Sequence, residues 1–171
     1  GEIQAALDQA GVKYTRIDEP EKLVESTVDR LTAGEVIGWF QGRFEWGPRA
    51  LGNRSIVADP RNPEMKDIVN TKIKFREPYR PFAPSVVAEE VERFFDLPQA
   101  VRHYPGRFML YVVDVKPDQA HQVPATTHVD GTARPQFVAR ETNPRFYALI
   151  ENFHRQTGVP IVINTSLNRR G

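Results

Sequence analysis

Three arginines, Arg43, Arg49 and Arg54, fall within one stretch, GWFQGRFEWGPRALGNRS (residues 38–55), together with two tryptophans and four glycines. A planar guanidinium grips oxyanions bidentately, and glycine lets main-chain N–H groups come close to a ligand, so this mixture points to a bound anion. Residues 41–80 hold nine basic and five acidic side chains, an excess of +4, while the whole chain carries only +1. Positive charge is therefore concentrated beside the glycines. In KIKFREPYRPF (72–82), Lys72, Lys74 and Arg76 alternate, and an extended strand would turn all three to one side. Such a row reads either as a phosphate cradle, with Arg80 close behind it, or as a solvated strand edge guarded by cations.

Two further clusters carry polar tips. THVDGTARPQ (127–136) spaces His128, Asp130, Thr132, Arg134 and Gln136 at alternate positions; the plain reading is a hairpin turning at Asp130-Gly131. A protein metal site is disfavoured there, because a single histidine with no second ligand pair lacks metal spacing. In VPIVINTSLN (159–168) an apolar strand runs into Asn164, Thr165, Ser166 and Asn168. Strand ends of α/β proteins commonly bind ligands, and an Asx or Ser/Thr turn accounts for the same residues. No G-x-S-x-G surrounds Ser166, and neither a Walker G-x-x-x-x-G-K-[ST] nor a G-x-G-x-x-G occurs, so a nucleotide would need another cradle.

The elements that must position these side chains alternate. Ile3, Ala6 and Leu7 mark a short helix stopped by Gly11, and VKYTRI (12–17) reads as a strand. Leu23, Val24, Val28 and Leu31 mark a second helix ended by Gly34, followed by the strand EVIGWF (35–40) and a loop over 42–52. NPEMKDIVN (62–70) predicts a short helix, APSVVA (83–88) and RFMLYVVDV (107–115) predict strands, and residues 89–95 predict a helix between them. Phe146, Leu149, Ile150 and Phe153 recur at i, i+3, i+4 and i+7, opened by Asn143-Pro144 and closed by Gly158, directly before the strand VPIVIN. Alternation of this kind predicts an α/β sandwich with a mixed sheet.

Composition sets the bounds. The 171 residues suffice for one domain with a real core, and 40% apolar with 26% charged residues is ordinary for a globular protein. Absence of cysteine excludes disulfides and thiolate chemistry. A net charge near zero argues against nucleic acid as a partner, and no apolar run approaches a membrane span. A cytoplasmic location is the expectation. The polar loop just before the last residue, and the bare first helix, suggest a piece of a longer polypeptide.

GWFQGRFEWGPRALGNRSIVADPR, NTKIKFREPYRPFAPSV, THVDGTARPQ and TGVPIVINTSLN, in this order, resemble the successive signatures of the carboxy-terminal domain of O-carbamoyltransferases of the nodulation-factor and antibiotic-tailoring type. The resemblance implies one domain over 1–171 with an α/β, YrdC-like fold, a twisted mixed sheet flanked by helices around a basic cavity. It implies carbamoyl phosphate and ATP as substrates, with Mg²⁺, and carbamoyl-adenylate as product. A Kae1-like domain, which these residues do not include, would then pass the carbamoyl group to an acceptor hydroxyl. Mapped onto this sequence, Arg49, Lys74, Arg76, His128 and Asp130 are the expected catalytic set. Arg43, Arg54, Arg80, Arg134, Asn164, Ser166 and Asn168 are the expected substrate contacts. No metal is expected beyond Mg²⁺ carried by ATP. Leu167 stands where the family commonly has phenylalanine, and the family continues past Asn168 through a Gly-Glu-Pro segment where this chain has Arg169-Arg170-Gly171. Two other readings stand beside this one: a phosphate-binding module without turnover, and a YrdC-like RNA-modification enzyme.

Overall fold

A computed structural model describes residues 1–169, the Val101 side chain excepted. Its main sheet has the order β1-β2-β7-β3-β6, from strands β1 (Ile37–Phe40), β2 (Arg54–Ala58), β3 (Ala83–Val87), β6 (Gln136–Val138) and β7 (Ile161–Ser166). Only β3 and β6 run parallel, in the register Ser85↔Gln136; the other neighbours are antiparallel, with Val57↔Asn164 and Ala83↔Asn164 placing Asn164 between two strands. A small second sheet pairs β4 (Val113–Asp114) with β5 (Thr132–Ala133). The expectation of a mixed α/β sheet with helices holds.

Helices cover both faces. α1 (Glu2–Gln9) buries no residue, whereas α2 (Pro20–Thr32) and α5 (Pro144–Thr157) share the larger core with Trp39, Val57, Val86 and Ile161. α5 forms as its sequence demands: the Asn143 side chain accepts from Phe146 N, Pro144 opens the first turn, and Gly158 ends the helix in the left-handed conformation at φ 78°. Its Phe146, Leu149, Ile150 and Phe153 are fully buried, each contributing about 1.5–3 kcal/mol by leaving water. On the other face α3 (Met65–Ile68) continues into a π-helical turn, Val69–Lys74, and packs Met65 and Val69 on Ile56, Ala58 and Ile163. α4 (Val91–Phe94) follows β3. None of the described helices is long and apolar enough to cross a membrane.

Four local expectations are corrected. VKYTRI forms no strand: it lies outside the sheet, and its residues are exposed apart from a half-buried Ile17. RFMLYVVDV is a strand only at Val113–Asp114, because a 3₁₀ turn at Tyr104–Phe108 and a left-handed Met109 occupy its first half. Lys72 and Lys74 ride the π-helical turn, so alternation does not put them and Arg76 on one face of a strand. Asp130-Gly131 does make a tight turn, with His128 N donating to Thr132 O at 2.8 Å, but residues 127–129 form no strand, and the strand leaving the turn has its ladder with β4. The strand β2, not anticipated, follows directly on the arginine-glycine loop. Of Arg169-Arg170-Gly171, which stand where the family continues past Asn168, Arg170 and Gly171 lie outside the described residues.

Candidate functional site

At the end of β7 a cavity of about 240 Å³ opens between the arginine-glycine loop, the segment entering β3, and the segment joining β5 to β6. Arg49, Arg76, Arg134, Asn164, Ser166 and Asn168 line it, with Phe82 and Met109 as apolar wall; its lining includes no carboxylate. Arg49 and Arg134 approach each other closely enough to be felt: burial first, then the Arg49 charge, lowers the Arg134 guanidinium from its ordinary range. Burial and then Arg80 do the same to Arg76, against the opposing pull of Glu77. Nε of Arg134 is buried with no hydrogen-bond partner. A desolvated guanidinium facing a second one is a group that an incoming anion would relieve.

The backbone places Arg76 and Lys74 by a sharp change of direction between them. Phe75, in the left-handed region at φ 50°, ends the π-helical turn. Arg76 then reaches the cavity, its Nε donating to Asn70 Oδ1 at 2.7 Å and its guanidinium lying 4.9 Å over the Phe82 ring. Asn70 is itself fixed, donating to Pro78 O at 3.2 Å and to Arg80 O at 2.9 Å. Lys74 points elsewhere and is fully buried. Its Nζ donates to Ser166 O, to Ser166 Oγ at 3.3 Å and to Asn168 Oδ1 at 2.8 Å, pinning the exit of β7. Burial, and secondarily the charge of Arg76, brings its ammonium down to about 8.

Asn164 is held in a single orientation. Its Nδ2 donates to Ala50 O at 3.0 Å and to Gln136 Oε1 at 2.9 Å. Gln136 is oriented in turn, its Oε1 accepting from Ser85 Oγ at 2.6 Å and its Nε2 donating to Leu51 O at 2.9 Å. Flipping the Asn164 amide would set its oxygen against two acceptors. Oδ1 of Asn164 is consequently left buried without a partner.

The arginine-glycine loop behaves differently from the expectation that its main chain greets a ligand. Glu45 Oε1 accepts from the amides of Leu51, Asn53 and Arg54 at 3.0, 2.6 and 3.1 Å, so those N–H groups serve the protein's own carboxylate. Arg54 lies outside the cavity, donating to the carbonyls of Gln41, Asn53 and Gly42 at 2.6, 2.8 and 3.1 Å and stacking on Phe40 and Phe44. Arg43 is exposed, its carbonyl accepting from Asn53 Nδ2. Arg80 pairs with Glu77 at 3.2 Å on the surface. At Gly52 the chain passes so close to α5 that a Cβ would overlap the Phe146 ring, and φ is 100°. That glycine is there for packing.

His128 and Asp130 stand apart from the lining residues. Thr132 donates to Asp130 Oδ1 from its amide at 3.0 Å and from its hydroxyl at 2.8 Å, and these bonds hold the exposed carboxyl below its usual range. His128 Nδ1 lies 3.0 Å from the same hydroxyl. Burial lowers the imidazole, with Arg134 and Lys66 acting in the same direction and Asp130 opposing. Thus the structure gathers Arg49, Arg76, Arg134, Asn164, Ser166 and Asn168 around one cavity, sets Lys74 immediately behind it, and leaves Arg43, Arg54, Arg80, His128 and Asp130 off its walls. Sequence reasoning passed over Glu45, Asn70 and Ser85; a lone acid among arginines was the one visible signal.

Residues 28–171 match the carbamoyltransferase C-terminus family. The chain belongs to that family. It is 50% identical over 152 residues to the nodulation protein NolO of Bradyrhizobium diazoefficiens, covering 89% of this chain and 27% of that protein. With NolNO of Sinorhizobium fredii it shares 47% over 155 residues, 91% of this chain and 22% of that protein. The 3'-hydroxymethylcephem-O-carbamoyltransferase of Streptomyces clavuligerus is 41% identical over 141 residues, 82% of this chain and 26% of the enzyme. The chain thus spans about a quarter of the length of these relatives.

Proposed function

We propose that this chain is the activating part of an O-carbamoyltransferase and makes carbamoyl-adenylate from carbamoyl phosphate and ATP. The observation that carries the reading is the convergence of Arg49, Arg76 and Arg134 on one cavity whose lining holds no acid, in a chain of the carbamoyltransferase family. We place its architecture with YrdC-like folds, whose ligands occupy such a space. The half-buried Arg76 and Arg134 guanidinium groups, in place before the substrate arrives, would stabilise charge on phosphoryl oxygens with little reorganisation during reaction.

Two displacements make the adenylate and a third transfers the carbamoyl group. Water cleaves carbamoyl phosphate to carbamate and phosphate; a carbamate oxygen then attacks the α-phosphorus of ATP, and pyrophosphate leaves with the electron pair of the broken P–O bond. An acceptor hydroxyl later attacks the carbamoyl carbon, losing its proton and expelling AMP. No side-chain nucleophile is needed, so the protein's contribution is arginine positioning, admission of one reacting water, and shielding of the carbamate from bulk water. Arg49, Arg76 and Arg134 bind the phosphoryl oxygens, Ser166 and Asn168 supply polar contacts at the strand end, and Lys74 holds that end in place. Arg43, Arg80, His128 and Asp130 are left for the parts of ATP that extend beyond the cavity. Among the described residues no cluster of three or more His, Asp or Glu side chains fits a metal. Mg²⁺, which would neutralise triphosphate charge, is assigned to ATP itself, and no step depends on a protein site for it. Transfer to the hydroxyl is assigned to a Kae1-like domain in the remaining three quarters of the full-length protein, and the cytoplasm, where both substrates occur, to its location.

The test is isotope exchange. Labelled pyrophosphate should enter ATP only when carbamoyl phosphate is present, while the chain alone carbamoylates no hydroxyl acceptor. Binding of both substrates without exchange would leave a phosphate-binding module, and exchange that needs threonine in addition would point to the RNA-modification chemistry of YrdC-like enzymes.

A further inference from the structure

Four buried polar side-chain atoms among the described residues have no hydrogen-bond partner: Trp39 Nε1, Arg54 Nε, Arg134 Nε and Asn164 Oδ1. Two of them, Arg134 Nε and Asn164 Oδ1, belong to residues lining the same cavity, and Asn164 Oδ1 is the one acceptor in the set. Buried polar atoms are almost always paired, so an orphaned pair at one cavity asks for a ligand that supplies both complements. Everything else charged on those walls is a donor. An acceptor among three guanidinium groups is of no use to a phosphate oxygen.

We infer that Asn164 Oδ1 is the amide reader of the site: it accepts an N–H of the carbamoyl group and makes the cavity select carbamoyl phosphate over acyl phosphates that lack the amide. This rests on the function proposed above and assigns Asn164 a specificity role within it. The orientation of the reader comes from its supports. Because Nδ2 is spent on Ala50 O and Gln136 Oε1, and Gln136 is anchored to Leu51 O and Ser85 Oγ, the amide cannot turn to offer a donor instead. Gln136 and Ser85 are therefore positioning residues. The cavity is small, about 240 Å³, and Asn164 shares it with Arg49, Arg76 and Arg134, so the N–H and the phosphate of the ligand must be close neighbours in one molecule. In carbamoyl phosphate the amide nitrogen and the phosphorus are three bonds apart, joined through the carbonyl carbon and the bridging oxygen. In ATP the adenine amino group lies at the opposite end of the molecule from the phosphates.

Acetyl phosphate provides the comparison, since a methyl group takes the place of NH₂ with little change in shape. It leaves the buried acceptor unpaired, and a site built to hydrogen-bond an N–H penalises the analogue lacking it. On the unmodified chain, calorimetric titration should show carbamoyl phosphate binding at least about tenfold more tightly than acetyl phosphate. Asn164→Leu should bind the two esters equally; Gln136→Leu, which frees the amide to turn, should narrow the ratio without abolishing binding of inorganic phosphate. Equal affinity for both esters in the unmodified chain, accompanied by carbamoyl-phosphate-dependent pyrophosphate exchange, overturns the amide reader and leaves the function standing. If neither ester binds and no exchange occurs, the proposed function falls and the reader with it. Preference for ATP over inosine triphosphate, with no preference between the esters, would move the acceptor to adenine and equally overturn the inference.

Discussion

The arginine-glycine loop and the end of β7 contain the same kinds of residue and use them oppositely. In the loop, the amides of Leu51, Asn53 and Arg54 close on Glu45, and the Arg54 guanidinium closes on three carbonyls and two aromatic rings. At the strand end, Arg134 Nε and Asn164 Oδ1 are buried and unmatched. Arg54 Nε is also buried without a partner, but off the cavity; what sets the strand end apart is that its two unmatched atoms belong to residues lining one open space. Residue type alone does not separate the two, since Arg49 and Arg54 stand five positions apart with different duties.

The sharpest way to break this contrast is to exchange the two kinds of arginine. Removing Arg134 takes a desolvated guanidinium from the cavity, and a charge-assisted hydrogen bond of about 1.5–3 kcal/mol goes with it. Arg134→Ala should thus lower carbamoyl phosphate affinity by about ten- to a hundredfold with an unchanged circular dichroism spectrum. Arg54→Ala should instead leave affinity within about threefold and lower the unfolding midpoint, because its bonds are all to the protein. Equal effects on binding would erase the distinction.

Glu45 tests the loop from inside. Glu45→Ala leaves three amides without their acceptor and should cost about 2 kcal/mol in urea unfolding. Retention of full stability would mean that water replaces the carboxylate at no cost. A smaller effect is expected of Arg49→Lys, which keeps the charge but loses the planar fork; pyrophosphate exchange should fall by about tenfold. Full activity would reduce Arg49 to a counter-charge.

Much of this architecture was legible and some of it was not. The i, i+3, i+4, i+7 pattern of α5 and its Asn143-Pro144 and Gly158 boundaries appear as read, because period and caps are local signals. VINTS at a strand end was visible for the same reason. The π-helical turn was not: alternation of Lys72, Lys74 and Arg76 mimics a strand, and only packing of Met65 and Val69 onto β2 and β7 shows that the segment is helical. Nor does spacing reveal that Asn164 and Gln136, 28 positions apart, share a hydrogen bond. Polar side chains declare their partners only when the sheet brings them together. Expecting all the arginines at one anion ignored the carbonyls and rings that compete for them.

The finest test concerns Lys74. Its folded value of about 8 lies below the ordinary 10.5, so between these values the unfolded chain binds more protons than the folded one. Stability should therefore rise slightly with pH across that window. Binding should move the other way: the neutral amine holds Ser166 and Asn168 less firmly, and phosphate-ester affinity should fall a few-fold from about pH 7 to about pH 9. Lys74→Met should flatten both trends, and a pH profile unchanged by that substitution would assign them to another group.

The parallel pairing of β3 with β6 has a consequence for the order of events during folding. Nearly fifty residues, 88–135, separate these neighbours, and closing so long a loop must precede any return from the contacts it makes. The cavity draws Arg49 from before β2, Arg76 from the approach to β3 and Ala83 from its start, Arg134 from the approach to β6, and Asn164 from β7. No early fragment or local hairpin contains more than part of it. The proposed anion binding would accordingly require the assembled sheet, and a saturating phosphate ester should shield the whole domain, not one end of it, from proteolysis.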